Sequence, residues 1–302
     1  MNSTCWHVLG VGAIGSLFAS KLADSGSEVC LVLKNPEQQQ AWQHGKHLRI
    51  QTLSGEQRRY QLNTTVAYEH HYLSQVLVTT KAFDVLPAIR AISHRLNHRS
   101  VIVLMVNGMG VEQEVLNEFP DYDIYNGTTT EGAFRLAPFQ VQHAGSGQTL
   151  FGQAGRPAAP AWLQTWQKTA LDCHWEADIE RAMWRKLAVN CVVNPLTALN
   201  DCPNSELLHN ANLAQQVVAL CTEIAPIMTA AGHPVTASEL LSDVQRVIRG
   251  TADNRSSMWQ DVAAGRRSEI DYITGYLTRT AQKLQLASPI NRGILEQLSV
   301  HR

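Results

Sequence analysis

Several common signatures are missing from this 302-residue chain. No window approaches the ~18 consecutive apolar residues that a membrane span requires, so no membrane partner is expected. The twelve histidines contain no HExxH and the six cysteines no CxxC, so no metal site is expected. Cys5, Cys30, Cys173, Cys191, Cys202 and Cys221 mostly sit in apolar runs, which suits reduced, buried thiols in a cytoplasmic protein. Basic clusters are confined to Arg58-Arg59 and Arg266-Arg267, both read as solvated surface, and the net charge is −1. That balance argues against nucleic acid as a partner. The opening segment lacks a basic region, an apolar core and a small-residue cleavage site, so no secretory leader is expected. There is no internal repeat and no low-complexity stretch.

What is present begins at Trp6. A short apolar run to Leu9 leads into Gly10-Val11-Gly12-Ala13-Ile14-Gly15, followed by a small-residue, apolar stretch with helical spacing over 16–23. A strand, a glycine turn and a helix start in that order form a phosphate cradle. The first glycine permits the turn, the second lets backbone approach a pyrophosphate, and the third lets helix and strand pack closely. Unpaired N–H groups and the positive helix end then face the phosphates. A plain glycine turn is the competing reading. A second strand over 28–33 ends in Lys34-Asn35-Pro36. An NAD-binding unit would place a carboxylate near there for the ribose 2′-hydroxyl; a cation suits a 2′-phosphate, hence NADP(H). Lys34 as a solvated turn residue is the alternative.

Further buried strands are expected at 76–80 and 101–106, each followed by a helix, at 85–96 and 111–118. Strand and helix alternate, which argues for a parallel sheet with helices on its faces. Residues 46–68 read as a hairpin turning at Ser54-Gly55, 122–126 as a strand, and 140–151 as a strand interrupted by Gly145-Ser146-Gly147. Residues 154–160 read as a linker, 161–170 as a helix and 173–176 as an edge strand. From Ile179 the pattern is almost wholly helical, over 179–194, 205–231, 236–250 and 257–284, with Asn194-Pro195 ending or kinking the first helix. The domain boundary is therefore expected near residue 178. Residues 1–178 would form an α/β, Rossmann-type dinucleotide-binding domain, and residues 179–302 an all-α domain for substrate and catalysis.

Polar groups at strand ends mark the chemistry: Lys81, the run Asn107-Gly108-Met109-Gly110, and Thr128-Thr129-Thr130. Glu131 beside them is expected to face solvent. In the second domain Lys186, Asn190 and Asn194 recur at i, i+4 and i+8, one helix face, among Leu187, Ala188, Val189, Cys191, Val192 and Val193. A lysine and two carboxamides are costly to bury unless paired. The spacing alone equally allows a narrow solvated stripe.

Taken together, Gly10-x-Gly12-x-x-Gly15, Thr80-Lys81-Ala82, Asn107-Gly108-Met109-Gly110, the run from Trp184 to Ala198, Cys202-Pro-Asn204-Ser-Glu206-Leu, Ser256-Ser257-Met258-Trp-Gln-Asp261 and Glu269-Ile-Asp271-Tyr-Ile-Thr-Gly275 resemble the ketopantoate reductase (2-dehydropantoate 2-reductase) family over nearly the whole chain. The resemblance implies reduction of ketopantoate to pantoate with NADPH as cofactor, in pantothenate biosynthesis, by a cytoplasmic monomer or homodimer. Lys186 would donate the proton to the ketone. Asn190, Asn194, Asn204 and Ser257 would hold the substrate's carboxylate and hydroxyl, and Asn107 would touch cofactor and substrate. Glu269 would hold the nicotinamide-side ribose and close the site, Lys81 and Ala133 would line the cofactor groove, and Lys34 would meet the 2′-phosphate. The family usually carries arginine at the last place; lysine keeps the charge and loses the planar fork.

Overall fold

Continuous apolar runs fill the middle of a sheet in the first part of the chain. The computed structural model describes residues 5–45 and 47–299, which fall into two compact units: Met1–Val106 with Val111–Ile179, and Asn107–Gly110 with Glu180–Arg302. In the first unit, β1 (Trp6–Leu9) is followed by α1 (Ala13–Asp24), β2 (Val29–Leu33), α2 (Pro36–Gly45), β3 (Leu48–Gln51), β4 (Gln57–Tyr60) and β5 (Asn63–Val66). Then come β6 (Gln75–Val78), α3 (Ala82–Ile92), β7 (Val101–Met105), α4 (Val111–Glu118) and β8 (Asp123–Thr129). The unit ends with β9 (Gly132–Ala137), β10 (Gln140–Gly145), β11 (Gln148–Gly152), α5 (Leu163–Gln167) and β12 (Asp172–Trp175).

The eight-stranded sheet has the order β12-β11-β8-β7-β6-β1-β2-β5. Neighbours pair in parallel, except β11 against β8. Every residue of β2 and β6 is buried, as befits strands covered on both faces. The chain passes from β1 to β2 on one side and returns to β6 on the other. The sheet therefore reverses its winding direction between β1 and β6, where a crevice opens at the strand carboxyl ends.

A second, four-stranded sheet, β4-β3-β10-β9, lies beside it, with β9 and β10 packed on α1. The expected hairpin is present only as β3 and β4; β5 joins the large sheet instead. The expected strand over 140–151 divides at its glycines, β10 going to the small sheet and β11 to the large one. Thr128 and Thr129 do not follow β8 but belong to it, paired with Leu150 and Thr149.

Glu131 departs most from expectation. It is buried rather than solvent-facing, accepting from Gly147 N at 3.0 Å and lying 2.7 Å from His143 Nε2. This carboxylate ties the start of β9 to β10 and to the turn before β11. The satisfied backbone donor and the imidazole compensate its desolvation.

The second unit contains α6 (Ile179–Leu199), α7 (Glu206–His209), α8 (Ala211–Ala230), α9 (Ala237–Gly250), α10 (Ser257–Ala263), α11 (Thr274–Lys283) and α12 (Pro289–Ser299). Four ends are closed by side chains, that of α10 by Ser256. Asn210 caps α8, Thr236 and Glu239 form a reciprocal capping box on α9, and Glu223 of α8 accepts from Ile290 N and Asn291 N at the start of α12. By length and composition α8 could cross a membrane, at mean hydropathy 1.3. Its Leu213, Val217, Leu220, Cys221, Ile224, Ile227 and Met228 instead fill the core of this unit.

Three helix expectations are corrected. The span 205–231 breaks at Asn210, where extended backbone ends α7 and caps α8. The first helix does not end at Asn194-Pro195; α6 runs on to Leu199. Proline removes one backbone bond, but Val192, Val193, Leu196 and Thr197 are all buried, and burial of that many side chains outweighs it. The span 257–284 is not one helix either. A loop over 264–273 separates α10 from α11, turning at Gly265 with φ of 61°.

Candidate functional site

In the first unit the glycine loop sits at the winding reversal. The backbone N–H of Thr79, just beyond β6, donates to Leu9 O at 2.8 Å, and the Thr79 hydroxyl donates to Gly10 O at 2.6 Å. A Cβ at Gly10, whose φ is 105°, would stand 2.6 Å from Thr80 N, and one at Gly15 would stand 2.2 Å from Gly10 O. Both positions are closed to any side chain. At Gly12, the N-cap of α1, a Cβ would meet nothing within 4 Å. The middle glycine therefore borders open space, and the first turn of α1 carries neither an acidic residue nor a side-chain cap. Backbone donors at a helix N-terminus with room beside them fit a pyrophosphate. The helix begins at Ala13, earlier than the side-chain pattern alone suggested, so Ala13, Ile14 and Gly15 form its first turn.

Around that loop, Lys81 is the N-cap of α3 and partly buried, and Lys34 stands exposed at the carboxyl end of β2. Val11 is buried. Ala133 lies in β9, opposite His143, and packs on the core that α1 shares. Among the described residues no group of His, Cys, Asp and Glu is placed to hold a metal ion.

The second unit carries side-chain chemistry. Lys186, Asn190 and Asn194 share one face of α6. Burial lowers the Lys186 pKa to about 8, opposed by the nearby charge of Glu269. Glu269 is itself 5% exposed, in the loop before α11. Its backbone carbonyl accepts from Tyr272 N and Ile273 N, at 3.0 and 3.1 Å.

Asn107–Gly110 belongs to this unit and docks on the same segment, with Met109 N donating to Tyr272 O at 2.9 Å. A Cβ at Gly108, φ 85°, would stand 2.4 Å from that carbonyl. Gly108 thus serves a close backbone approach, whereas a Cβ at Gly110 would stand 3.1 Å from the Tyr276 ring. Beyond them, the Tyr276 ring lies 5.7 Å from that of Trp184.

At the other end of α6, the Thr197 hydroxyl donates to Ser256 Oγ at 2.7 Å, and Ser256 Oγ lies 3.4 Å from Asn194 O. Ser256 is the N-cap of α10 and accepts from Trp259 N at 3.0 Å, so Ser257, exposed, opens the helix close to Asn194. Asn204 is buried, its backbone N–H donating to Asn254 O at 2.9 Å and its amide to Thr251 at 2.8 Å. Lys186 is thereby set with Glu269, Asn107 with the loop that follows Glu269, and Asn194 and Asn204 with the turn that leads to Ser257. Ser256, Thr197, Thr251 and Tyr272 join these groups without having stood out on their own. The sequence signals for them were slight, being a threonine within α6 and a serine doublet.

A phosphate cradle on a Rossmann-type sheet, with a desolvated lysine and a carboxylate in a helical unit, defines a nicotinamide-dinucleotide-dependent oxidoreductase. Comparison with known proteins is specific. Residues 6–156 match the family model described as ketopantoate reductase PanE/ApbA, and residues 178–302 match that of its C-terminal domain. The 2-dehydropantoate 2-reductase of Yersinia pestis is 37% identical, covering 96% of this chain and 92% of its own. A probable 2-dehydropantoate 2-reductase from Bacillus subtilis is 27% identical with a TM-score of 0.83, covering 99% of this chain and 100% of its own. D-mandelate dehydrogenase, in a ternary structure with NADH and anilino(oxo)acetate, shares the fold at TM-score 0.90 and 24% identity, covering 98% and 97% of the two chains. The chain belongs to the ketopantoate reductase PanE/ApbA family.

Proposed function

We propose that the chain reduces 2-dehydropantoate to pantoate with NADPH, in the cytoplasm, and that Lys186 is the proton donor. The observation that carries this reading is the lysine itself, desolvated on a buried helix, facing the charge of Glu269. The dinucleotide, when bound, supplies the hydride to the keto carbon. The remaining work falls to the side chains. Negative charge developing on the keto oxygen is stabilised by the Lys186 ammonium, which then gives up its Nζ proton. A pKa near 8 suits a group that must be charged at neutral pH and still release a proton readily. Glu269 keeps that ammonium charged against the cost of burial.

Asn107, Asn190, Asn194, Asn204 and Ser257 offer both donors and acceptors, as a substrate with carboxylate, ketone and hydroxyl requires. In the first unit Gly10 to Gly15 would cradle the pyrophosphate, Lys81 and Ala133 would line the groove, and Lys34 would meet the 2′-phosphate, which favours NADPH over NADH. The cytoplasmic assignment is supported by six cysteines without a disulfide among them.

The test is oxidation of NADPH by the purified protein with 2-dehydropantoate, compared with NADH and with 2-ketoisovalerate, which lacks the hydroxymethyl group. Rapid turnover of NADPH with 2-dehydropantoate alone is expected. Tight NADPH binding without turnover of that acid would move the assignment to another 2-keto acid.

A further inference from the structure

The amide of Asn204 has one determinate orientation. Thr251 Oγ1 lies 2.6 Å from Val247 O, a carbonyl that can only accept, so the hydroxyl proton is committed there. Oγ1 is left as an acceptor, and the Asn204 atom 2.8 Å away must be the NH2 group. The amide oxygen Oδ1 then points elsewhere. It is buried and receives no hydrogen bond from the protein. An unmet buried acceptor is unusual in a folded chain and is suited to a ligand donor.

The loop bearing Asn204 is held from outside as well. Asp201, at φ 46°, accepts from Trp259 Nε1 at 2.6 Å and from Arg255 at 3.1 Å, and the Arg255 guanidinium lies 4.0 Å from the Trp259 ring centre. With Ser205 N donating to Ala252 O at 3.0 Å, this latch fastens the 200–205 loop to the turn over 251–259.

We infer that Thr251 is a specificity-determining positioning residue: it turns the Asn204 amide so that its oxygen accepts from a hydroxyl of the substrate, with the Asp201–Arg255–Trp259 latch holding the loop in place. The inference rests on the proposed reduction of a hydroxylated keto acid. A site built on an acceptor rejects an analogue lacking the donor.

The experiment is steady-state kinetics of Thr251→Val and Thr251→Ser with 2-dehydropantoate and 2-ketoisovalerate, beside direct binding of NADPH. For Thr251→Val, the KM for 2-dehydropantoate should rise about tenfold, while that for 2-ketoisovalerate stays within about twofold. NADPH affinity and kcat should change little, and Thr251→Ser should restore the preference. Trp259→Phe and Asp201→Asn, which leave the buried amide untouched, should weaken the preference by about two- to fivefold; they decide the matter if Thr251→Val does not fold. Equal effects on both acids, or an unchanged preference, would overturn the inference while leaving the reductase reading intact. A wild-type protein inactive on 2-dehydropantoate would overturn both.

Discussion

The two units build their sites from different materials. In the first, the cradle is made of backbone. Gly10 and Gly15 are closed to a Cβ, Gly12 borders open space, and the donors are N–H groups of α1. In the second, the working groups are side chains on α6 and the loops around it, and their properties come from burial and neighbours. Lys186 has its pKa lowered by desolvation, and Asn204 is oriented by Thr251. Backbone suffices where the ligand presents phosphate, which every dinucleotide shares. Side chains are needed where one proton must move and one acid must be chosen.

The sharpest way to break the comparison is at Lys186. Lys186→Met should lower kcat by ~100-fold or more, with dinucleotide affinity unchanged. The same change should raise thermal stability. With its native pKa lowered to about 8 from 10.5, the unfolded chain binds more protons than the native one across that window. Stability therefore climbs with pH between those values, and below them the native ammonium carries a cost of about 3 kcal/mol. A Met variant that melts lower than wild type by calorimetry would contradict a desolvated ammonium.

The rate should follow the same group. With Lys186 as the proposed proton donor, kcat/KM should fall about tenfold per pH unit above about 8. In Glu269→Gln the fall should begin at lower pH, because the charge that holds the proton is gone. A pH profile unmoved by that substitution would separate Glu269 from Lys186.

The backbone site is tested by two alanines. Gly15→Ala puts a Cβ against Gly10 O and the Thr79 hydroxyl and should cost about 2–4 kcal/mol in urea unfolding. Gly12→Ala should unfold like wild type, yet weaken dinucleotide binding about tenfold or more by titration. Similar behaviour of the two variants would show that the middle glycine faces no ligand. The smallest effect is expected at the exposed Lys34: Lys34→Ala should raise the KM for NADPH about five- to tenfold and leave that for NADH alone.

The strands read from near-continuous apolar runs lie in the middle of the large sheet, and the edge strand expected over 173–176 is β12 at its end. Trp6–Leu9, Val29–Leu33, Gln75–Val78 and Val101–Met105 are apolar runs bounded by turns, and each lies inside the large sheet. β9 was invisible because its residues mix exposed arginine and leucine with glycine and alanine, and only pairing with β10 makes it a strand. The assignment of β10 and β11 to different sheets was equally out of reach, since nothing local to Gly145–Gly147 names a partner strand. Pro195 misled because the rule against proline in helices is local, while the core that overrides it comes from other helices. Glu131 misled for a similar reason: a lone carboxylate reads as solvated until His143 and Gly147 are brought to it.

By itself, the order of residues determined the family, the glycine loop between a strand and a helix, and the common face of Lys186, Asn190 and Asn194. Each of these is a short-range pattern, set by helix period or turn sterics. Tertiary structure alone decided that Gly108 must be glycine because Tyr272 O lies against it. It also decided that Ser256 is spent on a helix cap and on Thr197, and that Lys186 titrates near 8. Those properties depend on groups far away in the chain, and desolvation and hydrogen-bond partnership exist only once the chain has brought such groups together.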